Sequence, residues 1–236
     1  MKMAKGNKEM YDKIKPGYYH EAMLHGKPIQ RFWHKAKFTT VIKLMKPNKK
    51  ILDIACGPGS LFFLMKKPMK LMVGTDLALP QLFYAKKVFP KANYIASDVF
   101  HLPFKEESFN YVIMLELIEH LPKNDLIFRE VKKVLKKGGK LIVSTPNYMS
   151  LWPIIEKIWD IFSPIKYSKQ HINFYTQKRL ALELSKAGYK SIRINTKFVI
   201  SPFVAVFSPR IAFKIFEIES RIFPRVGQII FVEAEK

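Results

Sequence analysis

The run Asp53-Ile54-Ala55-Cys56-Gly57-Pro58-Gly59 sets an acid directly ahead of a turn of small residues. The apolar residues 51–54 read as a buried strand, and the stretch from Leu61 reads as a helix. Such a turn lets a ligand press against bare backbone, and the helix start beyond it offers unpaired amide donors. An acid at that place suits a ligand carrying positive charge or hydroxyls. Two more acids, Asp76 and Asp98, close the apolar runs 71–75 and 92–97. Three carboxylates at the ends of three successive strands can meet different parts of one nucleoside-like ligand. Asp76, followed by Leu77, can take two ribose hydroxyls side by side. Asp98 can accept from an exocyclic amine, and Asp53 can orient turn amides or meet an ammonium.

A dinucleotide is the rival ligand. Its phosphate turn needs three glycines spaced G-x-G-x-x-G. Here Ala55, Gly57 and Gly59 alternate, Phe62 fills the third place counted from Gly57, and Asp53 would face a pyrophosphate. A cationic, phosphate-free nucleoside fits better, which describes S-adenosylmethionine.

The elements that must position these groups alternate along the chain. Helical spacing runs over 18–45, with Phe32, Trp33, Ala36, Val41 and Leu44 on one stripe. Strands are expected at 50–54, 71–75, 92–97, 109–115, 140–144, 191–196 and 227–234. Helices are expected at 61–66, 81–88, 125–135 and 176–187, the third stopping on Gly138-Gly139 and the last capped by Thr176. Alternation of this kind gives an α/β fold, a mostly parallel Rossmann-like sheet with helices on both faces. Residues 149–175 and 198–225, rich in aromatics and proline, break the alternation and read as a small helical cap over the mouth of the sheet.

The 236 residues suffice for one full core, and 48% of them are hydrophobic, which excludes a disordered chain. The apolar runs are too short to span a bilayer. Cys56 is the single cysteine, which excludes an internal disulfide and a cysteine-cluster metal site and agrees with a cytoplasmic location. The formal net charge is +22. It fits a lysine-coated surface, and equally attraction to RNA, to an anionic membrane surface or to an anionic substrate.

With these segments in place, the chain resembles the class I S-adenosylmethionine-dependent methyltransferases, in particular the small-molecule branch of ubiquinone and menaquinone biosynthesis. The resemblance is carried by Leu52-Asp53-Ile54-Ala55-Cys56-Gly57-Pro58-Gly59, Val73-Gly74-Thr75-Asp76, Ser97-Asp98-Val99 through Phe104, and Tyr111 through Leu115-Glu116-Leu117-Ile118-Glu119-His120-Leu121. It continues through Gly138-Gly139-Lys140-Leu141 to Pro146-Asn147 and covers residues 50–194. It implies a seven-stranded sheet with the last strand antiparallel, and S-adenosylmethionine as cofactor. It implies that Ala55 to Gly59 lie against the methionine part, that Asp76 holds the ribose, that Asp98 and Val99 flank the adenine, and that Leu115 and Glu116 face the methyl. Ala55 stands where the family usually has glycine, so a backbone φ below zero or mild strain is expected there. Residues 1–49 become an N-terminal helical segment and candidate lid, and 50–236 the methyltransferase domain with its two cap insertions.

The methyl on a sulfonium needs alignment more than activation. A base helps when the acceptor is a hydroxyl of high pKa. The candidates are His120, His171 and Glu116, with Tyr18 and Tyr19 behind them. Each histidine has an equally plain structural reading as a loop brace. No resident metal is expected, although Glu116 and Glu119 with His120 form a minority candidate set for a divalent ion. The Asn/Asp-Pro-Pro-aromatic motif of base-amine methylation is absent after the fourth strand, where the chain reads Leu115-Glu116-Leu117-Ile118. Trp152, Ile155, Trp159 and Phe162 share one helical face, and Ile211, Ile215, Ile218 and Ile222 another. Both stripes read as packing surfaces, as an apolar lid, or as a basic amphipathic surface for an anionic membrane or a dimer interface. The expected activity is methyl transfer to oxygen or carbon of a small, lipophilic or aromatic acceptor. The alternatives are an RNA or tRNA methyltransferase and a non-catalytic cofactor-binding subunit.

Overall fold

The structure, a computed structural model, describes residues 14–122, 124–162 and 170–236, the side chains of residues 159 and 162 excepted. The sequence leads one to expect a frayed segment over residues 1–16, of which residues 1–13 lie outside the described residues, as do the side chains of Trp159 and Phe162. The strands are β1 (Lys50–Ile54), β2 (Leu71–Asp76), β3 (Asn93–Ala96), β4 (Phe109–Leu115), β5 (Leu135–Pro146), β6 (Lys190–Lys197) and β7 (Ile229–Glu235). They form one sheet in the order β3-β2-β1-β4-β5-β7-β6. β1 to β5 pair in parallel, and β7 runs antiparallel between β5 and β6. The α/β sheet with its antiparallel last strand is therefore as expected.

Both faces of the sheet are buried because neighbouring residues on each strand point opposite ways. Leu52, Val112, Leu141 and Val143 pack into one core, and Ile51, Tyr111, Ile113 and Ile142 into the other. The first core takes Ile127, Phe128 and Val131 of α5 (Asn124–Val134) and Leu180 and Leu184 of α7 (Gln177–Lys186). The second takes Phe32, Ala36 and Val41 of α2 (Pro28–Leu44), Leu61 and Phe62 of α3 (Ser60–Leu64), and Ala212 and Phe216 of α9 (Pro209–Ile222). The remaining helices are α1 (Tyr18–His25), α4 (Leu79–Val88), α6 (Trp152–Phe162) and α8 (Ser201–Val204).

Three expectations need correction. The single helix over 18–45 is two, because Pro28 opens α2 and Gly26 ends α1 with its N–H on the Ala22 carbonyl. Gly138-Gly139 do not simply stop a helix. α5 ends at Val134, and the glycines lie inside β5, where the pairing with β4 jumps from Phe109–Leu135 to Tyr111–Lys140 and Gly138 takes a φ of 67°. Such an offset needs the left-handed backbone that glycine adopts freely.

The isoleucine stripe of the second insertion also faces the wrong way for a lid. Ile211, Ile218 and Ile222 are exposed, and α9 turns Ala212, Phe216 and Glu219 inward. Glu219 fixes that rotation, since its buried carboxylate accepts from the N–H groups of Phe198, Ile200 and Ser201 and from the Ser201 hydroxyl. The Ile200 and Ser201 amides open α8, where a helix start leaves N–H groups without intrahelical acceptors.

Candidate functional site

The strand order reverses between β1 and β4, and parallel sheets bind ligands outside the carboxyl ends at that point. A cavity of about 420 Å³ lies there. Its floor is the β1–α3 turn, where Asp53, Ala55, Cys56 and Gly57 line it, with Asp76, Leu77 and Val99 from the next two strand ends. Its far wall carries Leu115, Glu116, His120 and His171. Eleven of the thirteen residues singled out as catalytic or cofactor-binding thus meet around one space. Gly59 and Asp98 are the two that do not line it.

Gly59 stands behind the turn. It takes a φ of 71° at the start of α3, and a Cβ there would lie 2.8 Å from the Tyr94 hydroxyl. Asp98 turns its carboxylate to its own loop, where Oδ1 accepts from the Phe100 N–H at 3.0 Å. Ala55 has a φ of 57°, so the strained of the two expected conformations is the one present. Its small side chain is exposed toward the cavity. At Gly57 a Cβ would meet nothing within 4 Å, which leaves the turn open to a ligand.

Asp76 holds this turn in shape. Its Oδ2 accepts from the Gly57 N–H at 2.8 Å and its Oδ1 from the Ala78 N–H at 2.9 Å. Asp53 is buried beneath it. Burial, then the charge of Asp76, push its carboxyl up to about 8, against a smaller opposing pull from Lys37. A buried acid in that condition is ready to ionise against an incoming cation.

The far wall is built from distant pieces of chain. Lys37 of α2 is buried among apolar neighbours and donates to Glu116 Oε2 at 2.8 Å. Burial pushes the Glu116 carboxyl up, but Lys37, His34 and His120 outweigh it and hold it below the usual range. Its Oε1 has no hydrogen-bond partner among the described residues. Sequence reasoning missed Lys37. The signal was one lysine in the apolar stripe between Trp33 and Val41.

His120 sits on a 3-10 turn (Ile118–His120) after β4, and its Nδ1 donates to the Gln170 carbonyl at 3.2 Å. Burial and the neighbouring His171 pull it down to about 4. His171 Nδ1 lies 2.7 Å from Glu156 Oε1 and 2.7 Å from the Tyr148 hydroxyl, which itself donates to Glu156 Oε2. Burial alone would lower His171, but Glu156 and Glu119 raise it above the ordinary histidine value. Glu119, 1% exposed, is pushed up to about 7 mainly by burial. The ligand-capable atoms of Glu119, His120 and His171 lie within 4.8 Å of one another. This set differs from the expected one, since Glu116 is turned to Lys37 and His171 takes its place. Glu156 is a further residue the sequence did not single out, because nothing local links it to a histidine beyond a loop.

The rim is aromatic. Trp33 stacks on Phe198 at 4.2 Å between ring centres and lies 5.7 Å from Trp152, whose indole N–H is buried without a hydrogen-bond partner among the described residues. Tyr18, Tyr19 and Phe203 complete it.

Residues 52–143 match the methyltransferase domain family. The chain is an S-adenosylmethionine-dependent methyltransferase. Over 97% of its length it is 27% identical to an uncharacterized protein of Methanocaldococcus jannaschii, covering 98% of that relative. The ubiquinone/menaquinone biosynthesis C-methyltransferase of Campylobacter jejuni is 25% identical over 78% of this chain and 89% of its own. Among solved structures, a methyltransferase of this cofactor class from Thermotoga maritima superposes with a TM-score of 0.72 at 18% identity, covering 97% of this chain and 99% of that one. At that identity the likeness concerns the fold. The geometry of the β1–α3 turn fits S-adenosylmethionine, since Gly57 leaves open space and the acids beside it suit a cation with hydroxyls. No described helix is long and apolar enough to cross a membrane.

Proposed function

We propose that the protein methylates an oxygen or carbon of a small, lipophilic or aromatic acceptor, with the cofactor along the β1–α3 turn and the acceptor between that turn and the aromatic rim. In this reading Ala55 to Gly57 support the methionine part, Asp53 meets its ammonium, and Asp76 with Leu77 takes the ribose. Val99 packs on the adenine, with Asp98 shaping the loop beside it, and Gly59 lets α3 start close behind. Leu115 and Glu116 face the methyl. Bound there, the cofactor supplies an electrophilic methyl on sulfur. The chain's residues orient the two partners and keep water away.

The observation that carries the acceptor assignment is the rim itself. Apolar aromatic faces from Trp33, Trp152 and Phe203 surround a wall with few polar atoms, among them the Trp152 N–H and Glu116 Oε1, which have no hydrogen-bond partner among the described residues. A flat apolar body with one or two oxygens fits that combination. His120, His171 and Glu116 form its polar end, where the acceptor is activated. The relatives named for ubiquinone and menaquinone biosynthesis support an acceptor of this kind.

The deciding measurement is transfer of labelled methyl from the cofactor into fractionated lipid, quinone and tRNA extracts. Label in an organic-soluble aromatic fraction is the expected result. Label confined to tRNA would overturn the acceptor assignment and leave the +22 charge as the reason for an RNA substrate.

A further inference from the structure

Three side chains at the acceptor end of the cavity, Glu119, His120 and His171, each have one polar atom anchored outward and another turned toward a common point. His120 Nδ1 faces a carbonyl, that of Gln170 at 3.2 Å, so Nδ1 carries the proton in the neutral ring and Nε2 carries the lone pair. His171 Nδ1 faces the Glu156 carboxylate at 2.7 Å, and Tyr148 donates to the other oxygen of that carboxylate. With the Tyr148 proton directed to Glu156, the two oxygens 2.7 Å from Nδ1, the Tyr148 hydroxyl and Glu156 Oε1, both act as acceptors, so Nδ1 keeps its proton and Nε2 is the nitrogen that gives up its proton to a metal ion. Thr145 donates to Glu119 Oε2 at 2.9 Å. Glu119 Oε1 is buried with no hydrogen-bond partner among the described residues, and lies 3.9 Å from His120 Nε2.

This is how metal-binding histidines are commonly held: the far nitrogen donates to a carbonyl or carboxylate, which sets the tautomer and the ring angle. A carboxylate oxygen buried without a partner costs stability unless something binds it. We propose that Glu119, His120 and His171 bind one divalent transition-metal ion at the acceptor end of the cavity. Two imidazoles and one carboxylate favour zinc, iron or cobalt over magnesium. Three protein ligands leave positions open to an acceptor oxygen. Rotation of Glu119 and His171 draws the ligand atoms from within 4.8 Å to the spacing that bonds of about 2.0–2.2 Å require.

The role of the ion rests on the methyltransferase reading, but its binding does not. An acceptor hydroxyl on the ion loses its proton to water at a lower pH. The methyl carbon then bonds to the acceptor as its bond to sulfur breaks with the electron pair left on sulfur.

The test is a cobalt titration of chelator-stripped protein, followed by visible absorption and calorimetry. One equivalent of Co²⁺ is expected to bind, with a ligand-field band that Zn²⁺ abolishes and that millimolar Mg²⁺ leaves intact. His171→Ala and His120→Ala are each expected to weaken binding at least about a hundredfold, and Glu156→Gln about tenfold through the ring it orients. Absence of a cobalt band at millimolar metal, or unchanged affinity in His171→Ala, overturns the site. Should either alanine variant unfold, the wild-type spectrum and Glu156→Gln still decide. S-adenosylmethionine binding is measured on the same metal-free samples. Cofactor binding without cobalt binding defeats this site alone, and the converse defeats the cofactor assignment alone.

Discussion

Asp76 reaches the Gly57 amide across 19 residues of chain and one pair of adjacent strands, while Lys37 reaches Glu116 across 79 residues and His171 meets Glu156 through the cap. The wall proposed for the cofactor is backbone held by a carboxylate and by the pairing of β1 with β2. The wall proposed for the acceptor is side chain on side chain, contributed by α2, the turn after β4, α6 and the loop before α7. The first can stay constant while the second changes, because no acceptor-side residue is needed to shape the turn.

Breaking the cofactor wall has the largest expected effect. Asp76→Ala removes two charged hydrogen bonds from the turn as well as any to the ribose. Losing about 3 kcal/mol weakens S-adenosylmethionine binding roughly a hundredfold. Calorimetry checks this, and an affinity within twofold of wild type places the ribose elsewhere. Asp53→Asn sharpens the same wall, since burial raises the Asp53 carboxyl to about 8 in the fold, above its unfolded value. The folded state therefore binds this proton more tightly, and its contribution to stability falls as pH rises from about 4 toward 8. The variant is expected to melt at a higher temperature at pH 8 while binding the cofactor more weakly. In the wild type, cofactor affinity should rise between pH 6 and 8 as Asp53 ionises against the bound cation. A flat pH profile in calorimetry counts against the Asp53–ammonium pair.

On the acceptor wall, Lys37→Met leaves Glu116 without its cation. Lys37 is 7% exposed and Glu116 29%, so the pair is partly solvated. A loss of about 1–3 kcal/mol in chemical unfolding is expected, below that of a fully buried pair. Turnover should fall more than cofactor affinity. Equal losses in both would mean that the two walls are not separable. The smallest effect is expected at Ala55→Gly, which relieves a φ of 57°. The gain, about 0.5–1 kcal/mol after the added freedom of the unfolded chain, should appear as a slightly raised melting temperature with unchanged catalysis.

The difference between the walls is also the difference in what could be read from the chain. Asp53, Gly57, Asp76 and Val99 were legible because each follows directly from the end of a strand, and strand ends are set by short apolar runs. Glu116, His120 and His171 were recognisable as chemistry-bearing residues, but not their partners. Lys37 looked like one more lysine in a chain with a net charge of +22. The isoleucine stripe of α9 misled for a related reason. Periodicity shows that a face exists, and the hydrogen bonds of Glu219 decide which face turns inward.

The sequence by itself determined the order of strands and helices, the acid and glycine spacing of the cofactor turn, and the chemical class of its ligand, because these depend on interactions within one strand–turn–helix unit. Only the tertiary structure decided which carboxylate meets Lys37, which stands behind His171, and that Glu119, His120 and His171 converge. Those contacts join segments brought together by the sheet and its cap, and their energies come from burial and charge that no local pattern encodes.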